Sequence, residues 1–232
     1  MLTMPNDIYS SQVTVPAPQS EAMLLQRCQQ LAGKTIGQLA EQMQLAVPVD
    51  LRSHKGWVGN LLERSLGADA GNQAEPDFVS LGIELKTLPL SARGTPKEST
   101  YVCTVNPNAA AEIHWQTCWL RRKLSKVLWL PIEADSAIPL AERYIGQAVL
   151  WQPTTQQESI LQQDWEELME IMIADGGVTA KLGRYLQIRP KAANSRVTTR
   201  RIGYDGEVEL HQPRGFYLRT CFTQQILSGK AC

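Results

Sequence analysis

Apolar and polar side chains alternate from Leu81 to Leu88: Leu81, Ile83, Leu85 and Thr87 share one face, Gly82, Glu84, Lys86 and Leu88 the other. That period of two predicts a β-strand. Helical spacing appears in four other stretches. Met23, Leu24, Cys28 and Leu31 recur along Glu21–Ala32, with Gly33 closing the element. Thr35–Met43 reads as a short second helix and Lys55–Leu66 as a third, ended by Gly67. Ser159–Ala174 carries the strongest periodicity, with Ile160, Leu161, Trp165, Leu168, Met169 and Met172 on one broad core face.

Further strands are expected at Thr100–Val105, as the antiparallel partner of the first, and at Val127–Ile132, Ala148–Trp151 and Tyr185–Arg189. Glu207–Leu210 and Gly215–Leu218 read as a closing β-pair around Pro213 and Arg214, and a short helix follows from Thr220. Residues 1–19, polar and proline-containing, read as a mobile tail ahead of a folded domain spanning 20–232.

Composition narrows the class. With 232 residues, 43% hydrophobic and 20% charged, the chain has the make-up of a folded protein with a substantial core. Apolar runs such as Val127–Ile132 are far too short to span a bilayer, and no secretory signal opens the chain. The five cysteines are odd in number and scattered, which points to reduced thiols in the cytoplasm and to neither a disulfide framework nor a zinc site. Formal net charge is zero, but it is unevenly spread. Six acids and no base lie between Glu158 and Asp175, whereas Lys181, Arg184, Arg189, Lys191, Arg196, Arg200 and Arg201 follow with no acid before Asp205. Such polarity can give one face a phosphate-attracting potential, or it can be a solvated basic loop.

The candidate chemistry sits on the first strand. Glu84 and Lys86 point to one side about 7 Å apart at the usual rise per residue, and Asp77 lies seven residues before Glu84. Mg²⁺ is commonly held by one or two carboxylates together with waters and substrate phosphates. Asp77 and Glu84 fit that role, with Lys86 beside the water or the scissile phosphate. Alone, the triplet is equally compatible with an edge strand carrying a solvated Glu–Lys pair. On the third helix Gly56, Asn60 and Glu63 form a small, polar stripe, so Glu63 faces either solvent or a ligand. The basic run Arg121–Lys126 reads as a phosphate contact or as a charged loop. There is no phosphate-binding glycine loop and no nucleophile elbow, and His54, His114 and His211 lack metal-ligand spacing.

Pro76-Asp77…Glu84-Leu85-Lys86 matches the Pro-Asp…(Asp/Glu)-x-Lys motif of restriction-endonuclease-like nucleases. Together with Lys55-Gly56-Trp57, Leu61-Leu62-Glu63, Val127-Leu128-Trp129, Asp164-Trp165-Glu166-Glu167-Leu168-Met169, Tyr185-Leu186-Gln187-Ile188-Arg189-Pro190-Lys191 and Pro213-Arg214-Gly215-Phe216-Tyr217-Leu218, it resembles the MutH family of DNA mismatch repair endonucleases, in order, from about residue 21 nearly to the C-terminus.

The resemblance implies an α/β restriction-endonuclease-like fold: a mixed central sheet flanked by helices, in two lobes around a DNA cleft. It implies a monomeric, Mg²⁺-dependent enzyme that nicks the unmethylated strand of hemimethylated GATC sites 5′ to the guanine. Its partners would be duplex DNA and MutL, with MutS acting indirectly, and no membrane. It assigns catalysis to Glu63, Asp77, Glu84, Lys86 and Lys123, metal binding to the three carboxylates, and DNA contact to Lys55, Tyr101, Arg189, Lys191 and Tyr217. Tyr101 stands where the family commonly has phenylalanine, so a hydroxyl must be accommodated. A stand-alone GATC restriction enzyme and a catalytically silent DNA-binding module are the alternatives.

Overall fold

The computed structural model describes residues 13–51, 54, 56–71, 75–105, 114–173, 181–191, 198–202 and 207–229. Three helices open the chain: α1 (Glu21–Leu31), α2 (Ile36–Gln42) and α3 (Trp57–Leu66). Strands β1 (Glu84–Leu90) and β2 (Thr100–Thr104) follow, then the short helix α4 (Trp119–Leu124) and strands β3 (Val127–Glu133) and β4 (Val149–Trp151). The long helix α5 (Thr155–Ile173) leads to β5 (Leu186–Pro190), β6 (Thr199–Ile202), β7 (Val208–His211) and β8 (Arg214–Leu218), and α6 (Thr220–Ser228) closes the described chain.

The strands form three small sheets. The first is mixed, ordered β1-β3-β4, with β1 parallel to β3 and β3 antiparallel to β4. The second is antiparallel, ordered β2-β8-β5, and β6 pairs only with β7. The expected single mixed sheet is thus divided, and two pairings differ from the sequence reading. The partner of β2 is β8, not β1. After β1 the chain folds back through a Leu90–Pro96 bridge and a Lys97 N–H donated to the Pro89 carbonyl at 2.9 Å, which carries β2 away to the second sheet. Likewise β7 pairs with β6 while β8 fills the centre of the second sheet, so the expected closing β-pair does not form.

The first sheet separates two cores. On β3, Leu128, Leu130 and Ile132 join α1–α3 in one cluster, whereas Val127 and Trp129 join α4, α5 and the second sheet in the other. A strand buried on both faces needs an unbroken apolar run, which Val127–Ile132 supplies. On β1 the alternation holds: Leu85 faces the first core, while Glu84, Lys86 and Leu88 lie on the opposite face, where Leu88 joins the second core.

Helix boundaries follow local chemistry. Helix α5 begins four residues before the periodicity suggests, because Thr154 and Gln157 form a reciprocal cap: the Gln157 N–H donates to Thr154 Oγ1 (3.2 Å), and the Thr154 N–H to Gln157 Oε1 (3.0 Å). Residues 121–123, part of the basic run ahead of β3, are helical in α4, whose cap is the Cys118 thiol accepting from the Arg121 N–H at 3.4 Å. Residues 13–19 also depart from the mobile tail expected of them. Val13 and Val15 pack against the first core, and Arg27 donates to the carbonyls of Pro16 (2.8 Å) and Leu66 (2.7 Å). Buried Asp164 on α5 accepts backbone N–H bonds from Arg184, Tyr185 and Leu186 at 2.7, 2.5 and 2.8 Å, anchoring the start of β5. Cys28, Cys103 and Cys118 are buried, Cys221 is exposed, and none of these four is in a disulfide.

Candidate active site

Asp77 and Glu84 are brought together by a tight reversal. Phe78 and Ile83 bridge across it, the Phe78 N–H donating to the Ile83 carbonyl at 2.9 Å, and Val79–Leu81 make a single 3₁₀ turn between them. Gly82 closes the turn at φ +63°, a left-handed conformation in which a side chain would be strained. The chain therefore doubles back, and the Leu85 N–H donates to Asp77 Oδ2 at 2.7 Å.

Glu84 is the centre of the arrangement. It is 2% exposed, and each of its oxygens accepts from a lysine: Oε1 from Lys86 Nζ at 2.6 Å and Oε2 from Lys123 Nζ at 2.7 Å. Lys86 is two residues along the same strand face. Lys123 arrives because β1 and β3 pair in parallel, Glu84 opposite Val127, which sets the end of α4 against the start of β1. Lys123 also donates to the Glu75 carbonyl at 3.1 Å, and Arg122 pairs with the Glu75 carboxylate at 3.3 Å. Glu75 thus ties the approach to Asp77 onto α4, a role that no spacing signal in the sequence reveals.

Both other carboxylates are raised above their ordinary pKa. For Glu63 the largest cause is burial, followed by the charge of Asp77, with Lys86 working in the other direction. For Asp77 it is again burial, then the charge of Glu84, opposed by the Leu85 N–H and the two lysines. Both lysines are already paired with Glu84. Among the described residues no three carboxylate, imidazole or thiol side chains come together closely enough to hold a metal ion by themselves. Magnesium commonly needs only one or two protein carboxylates. Two half-buried acids under mutual repulsion, Asp77 adjoining Glu84, form a donor set that suits a hard divalent cation.

Glu63 and Lys86 line an open cleft of about 660 Å³, bounded by Gly56, Gly59 and Asn60 of α3 on one side. On the other stand Ser99, Thr100, Tyr101 and Tyr217 of the second sheet and the loop leading into it. The small, polar stripe of α3 therefore faces a space, not a packed neighbour. Tyr101 and Tyr217 are cross-strand partners, edge to face with centroids 5.4 Å apart. Gly215 makes room for them, since a Cβ there would lie 2.9 Å from the Tyr101 ring. Burial and the neighbouring Tyr101 push the Tyr217 hydroxyl up, while Arg189 draws it down.

Two cations cover this aromatic pair. The Arg189 guanidinium lies 5.7 Å from the Tyr217 ring centre and donates to Ser99 Oγ at 2.6 Å. The Lys191 ammonium sits 3.9 Å from the Tyr101 ring centre, donates to the Tyr101 hydroxyl and reaches Thr104 Oγ1 at 3.2 Å. The structure thus gathers Asp77, Glu84 and Lys123 behind the cleft-lining Glu63 and Lys86, and sets Arg189 and Lys191 against the cleft-lining Tyr217 and Tyr101. Lys55 lies outside the described residues. Ser99, Thr104 and Glu75 join the set, and only their distant partners mark them out.

Comparison with known proteins identifies the family. Residues 66–164 match the family model described as DNA mismatch repair enzyme MutH. The chain is 51% identical over 212 residues to the DNA mismatch repair protein MutH of Histophilus somni (strain 2336), an alignment covering 90% of this chain and 95% of that protein. It is 49% identical to the MutH protein of Haemophilus influenzae Rd (91% and 96% covered) and 48% identical to that of Serratia proteamaculans (92% and 94% covered). Near-complete coverage at half identity places the chain in the MutH family of DNA mismatch repair enzymes.

Proposed function

We propose that this protein is a Mg²⁺-dependent DNA endonuclease of methyl-directed mismatch repair, nicking the unmethylated strand of hemimethylated GATC sites 5′ to the guanine. The observation that carries the reading is Glu84 held between Lys86 and Lys123, beside Asp77 and Glu63, on the same cleft as Tyr101 and Tyr217. Duplex DNA occupies the cleft between α3 and the second sheet, and MutL supplies the activating contact.

Asp77 and Glu84 hold the metal, with Glu63 beside them. When bound, the divalent cation supplies positive charge to a phosphate oxygen and lowers the pKa of a coordinated water. Lys86 and Lys123 exchange part of their pairing with Glu84 for the phosphate, placing ammonium charge where the pentavalent transition state becomes more negative. Arg189 and Lys191 donate to base edges in the major groove, where an Arg or Lys to guanine O6 and N7 is the commonest specific contact. The Tyr101–Tyr217 pair lies beside them, positioned to sense the methyl group on adenine.

The test is a plasmid-nicking assay on unmethylated, hemimethylated and fully methylated GATC substrates, with and without MutL and with Mg²⁺ or EDTA. We expect Mg²⁺-dependent nicks in the unmethylated strand, stimulated by MutL, and no product on fully methylated DNA. Efficient double-strand cleavage without MutL identifies a stand-alone restriction enzyme instead. Binding without any product identifies a silent module.

A further inference from the structure

Resting on the nuclease reading, we propose that Thr104, acting with the Tyr101 hydroxyl, is a specificity-positioning residue: it fixes the Lys191 ammonium so that one N–H remains for a single base acceptor. A lysine ammonium has three donors and a flexible four-carbon stem, and so is ordinarily a poorly directed reader. Here two donors are already engaged, one on the Tyr101 hydroxyl and one on Thr104 Oγ1 at 3.2 Å. The charge also rests 3.9 Å from the centre of the Tyr101 ring, a cation–π contact that fixes it against β2. The two hydroxyls hydrogen-bond each other at 2.9 Å, so the acceptor pair is itself braced.

This bracing depends on irregular backbone. The β2–β8 register slips between Tyr101 and Cys103, so the alternation of side chains along β2 is interrupted. Residues 101 and 104, which a regular strand sends to opposite faces, here share one hydrogen bond. Gly215, opposite Thr104 on β8, leaves the space that the Tyr101 ring fills. A tyrosine at 101 is therefore more than a tolerated phenylalanine substitute. Its hydroxyl makes half of a two-oxygen seat for a cation that comes from a residue 90 positions along the chain.

The contrast with Arg189 sharpens the role. A guanidinium carries its donors in a rigid fork and needs only its plane set, which one bond to Ser99 and the face of Tyr217 supply. An ammonium needs two fixed acceptors before its remaining direction is defined. Thr104 is the second of those acceptors.

The experiment uses the full chain and compares initial nicking rates on hemimethylated GATC with rates on all single-base variants of the site. Thr104→Val keeps the shape of the side chain and removes the acceptor; Tyr101→Phe keeps the ring and removes the other. Each should relax discrimination at the base pair read by Lys191 by about tenfold, the scale of one lost hydrogen bond to a charged group, and leave discrimination at the other positions unchanged. In a Lys191→Met background, Thr104→Val should change nothing further, because the group it positions is gone. A merely structural threonine would lower rates on every site alike, and its effect would persist beside Lys191→Met. Either of those results, or unaltered discrimination in Thr104→Val, overturns the proposal while wild-type nicking still upholds the nuclease reading. A wild-type protein that makes no nick defeats both.

Discussion

Two clusters of cations adjoin the same cleft, one through Lys86 and the other through Tyr101 and Tyr217, and their surroundings could hardly differ more. Lys86 and Lys123 are mostly buried, their side chains 17% and 12% exposed, and both close on a carboxylate that is 3% exposed. Lys191 and Arg189 are exposed and rest on aromatic rings and hydroxyls, and among the described residues neither is in an ion pair. Burial raises the cost of any unpaired charge, so each lysine of the first cluster is held against Glu84. The second can leave its cations free to exchange hydroxyl partners for base edges, because water and ring faces already solvate them. On the proposed function, one end of the cleft serves chemistry on a charged phosphate and the other serves exchangeable recognition.

The contrast sets the order of expected effects. On the proposed reading, in which Asp77 is a metal ligand, Asp77→Ala should lower nicking of hemimethylated GATC DNA about a thousandfold, several kcal/mol of transition-state stabilisation. Single-turnover rates at saturating Mg²⁺ measure it, and nicking near the wild-type rate would show that Asp77 is no ligand. Glu84→Gln should also destroy activity, but it does something Asp77→Ala does not. It strips the shared anion from two mostly buried lysines. Breaking a buried pair costs about 3–5 kcal/mol, which for a chain of this size lowers Tm by roughly 10 °C. Thermal melts in EDTA read this directly, and an unchanged Tm would mean that the lysines find other partners.

At the opposite end of the cleft the pattern should invert. Arg189→Met should leave Tm within the small range of surface substitutions and reduce discrimination at one base pair by about 1–3 kcal/mol. Nicking rates on single-base variants of the site, beside a melt of the same protein, separate the two. A large drop in Tm with uniform loss of rate would place Arg189 among the residues that hold the fold.

The two clusters also differed in how far the chain alone disclosed them. Asp77, Glu84 and Lys86 lie within ten residues, and strand periodicity orients the last two without any tertiary information. What periodicity could not supply was the reversal at Gly82 that sets Asp77 beside Leu85, or the parallel pairing that delivers Lys123. The recognition cluster is assembled across 90 residues, from β2, β8 and the end of β5, so only family resemblance joined its members beforehand. The same long range explains the misassigned strand pairings. Hydrophobic pattern fixes which face of a strand is buried, but choosing between β1 and β8 as partner for β2 depends on where the loop of residues 91–99 leads. The Thr154–Gln157 cap extends α5 beyond its apolar periodicity, and Glu75 and Thr104 carry no signal short of their contacts.

The smallest effect tests the idea that the buried end is strained until a cation arrives. Burial and the charge of Asp77 hold the Glu63 pKa above its ordinary value of 4.5. A folded state that binds the proton more tightly than the unfolded chain gains stability from it, fully below the ordinary value, and loses that gain as pH rises through the raised one. Wherever Glu63 is ionised it is therefore a net cost to the metal-free protein. Glu63→Gln should relieve it, raising Tm in EDTA by about 2–4 °C for each kcal/mol released. Two controls give the sign its meaning. Lowering the pH toward the ordinary carboxylate range should shrink the difference, because the wild-type side chain becomes neutral as well. Adding Mg²⁺ should reverse it, because the wild-type site gains binding free energy that the variant partly loses. A variant that melts below wild type in EDTA at neutral pH would show that Glu63 is satisfied by the protein itself and that no cation is needed to complete the site.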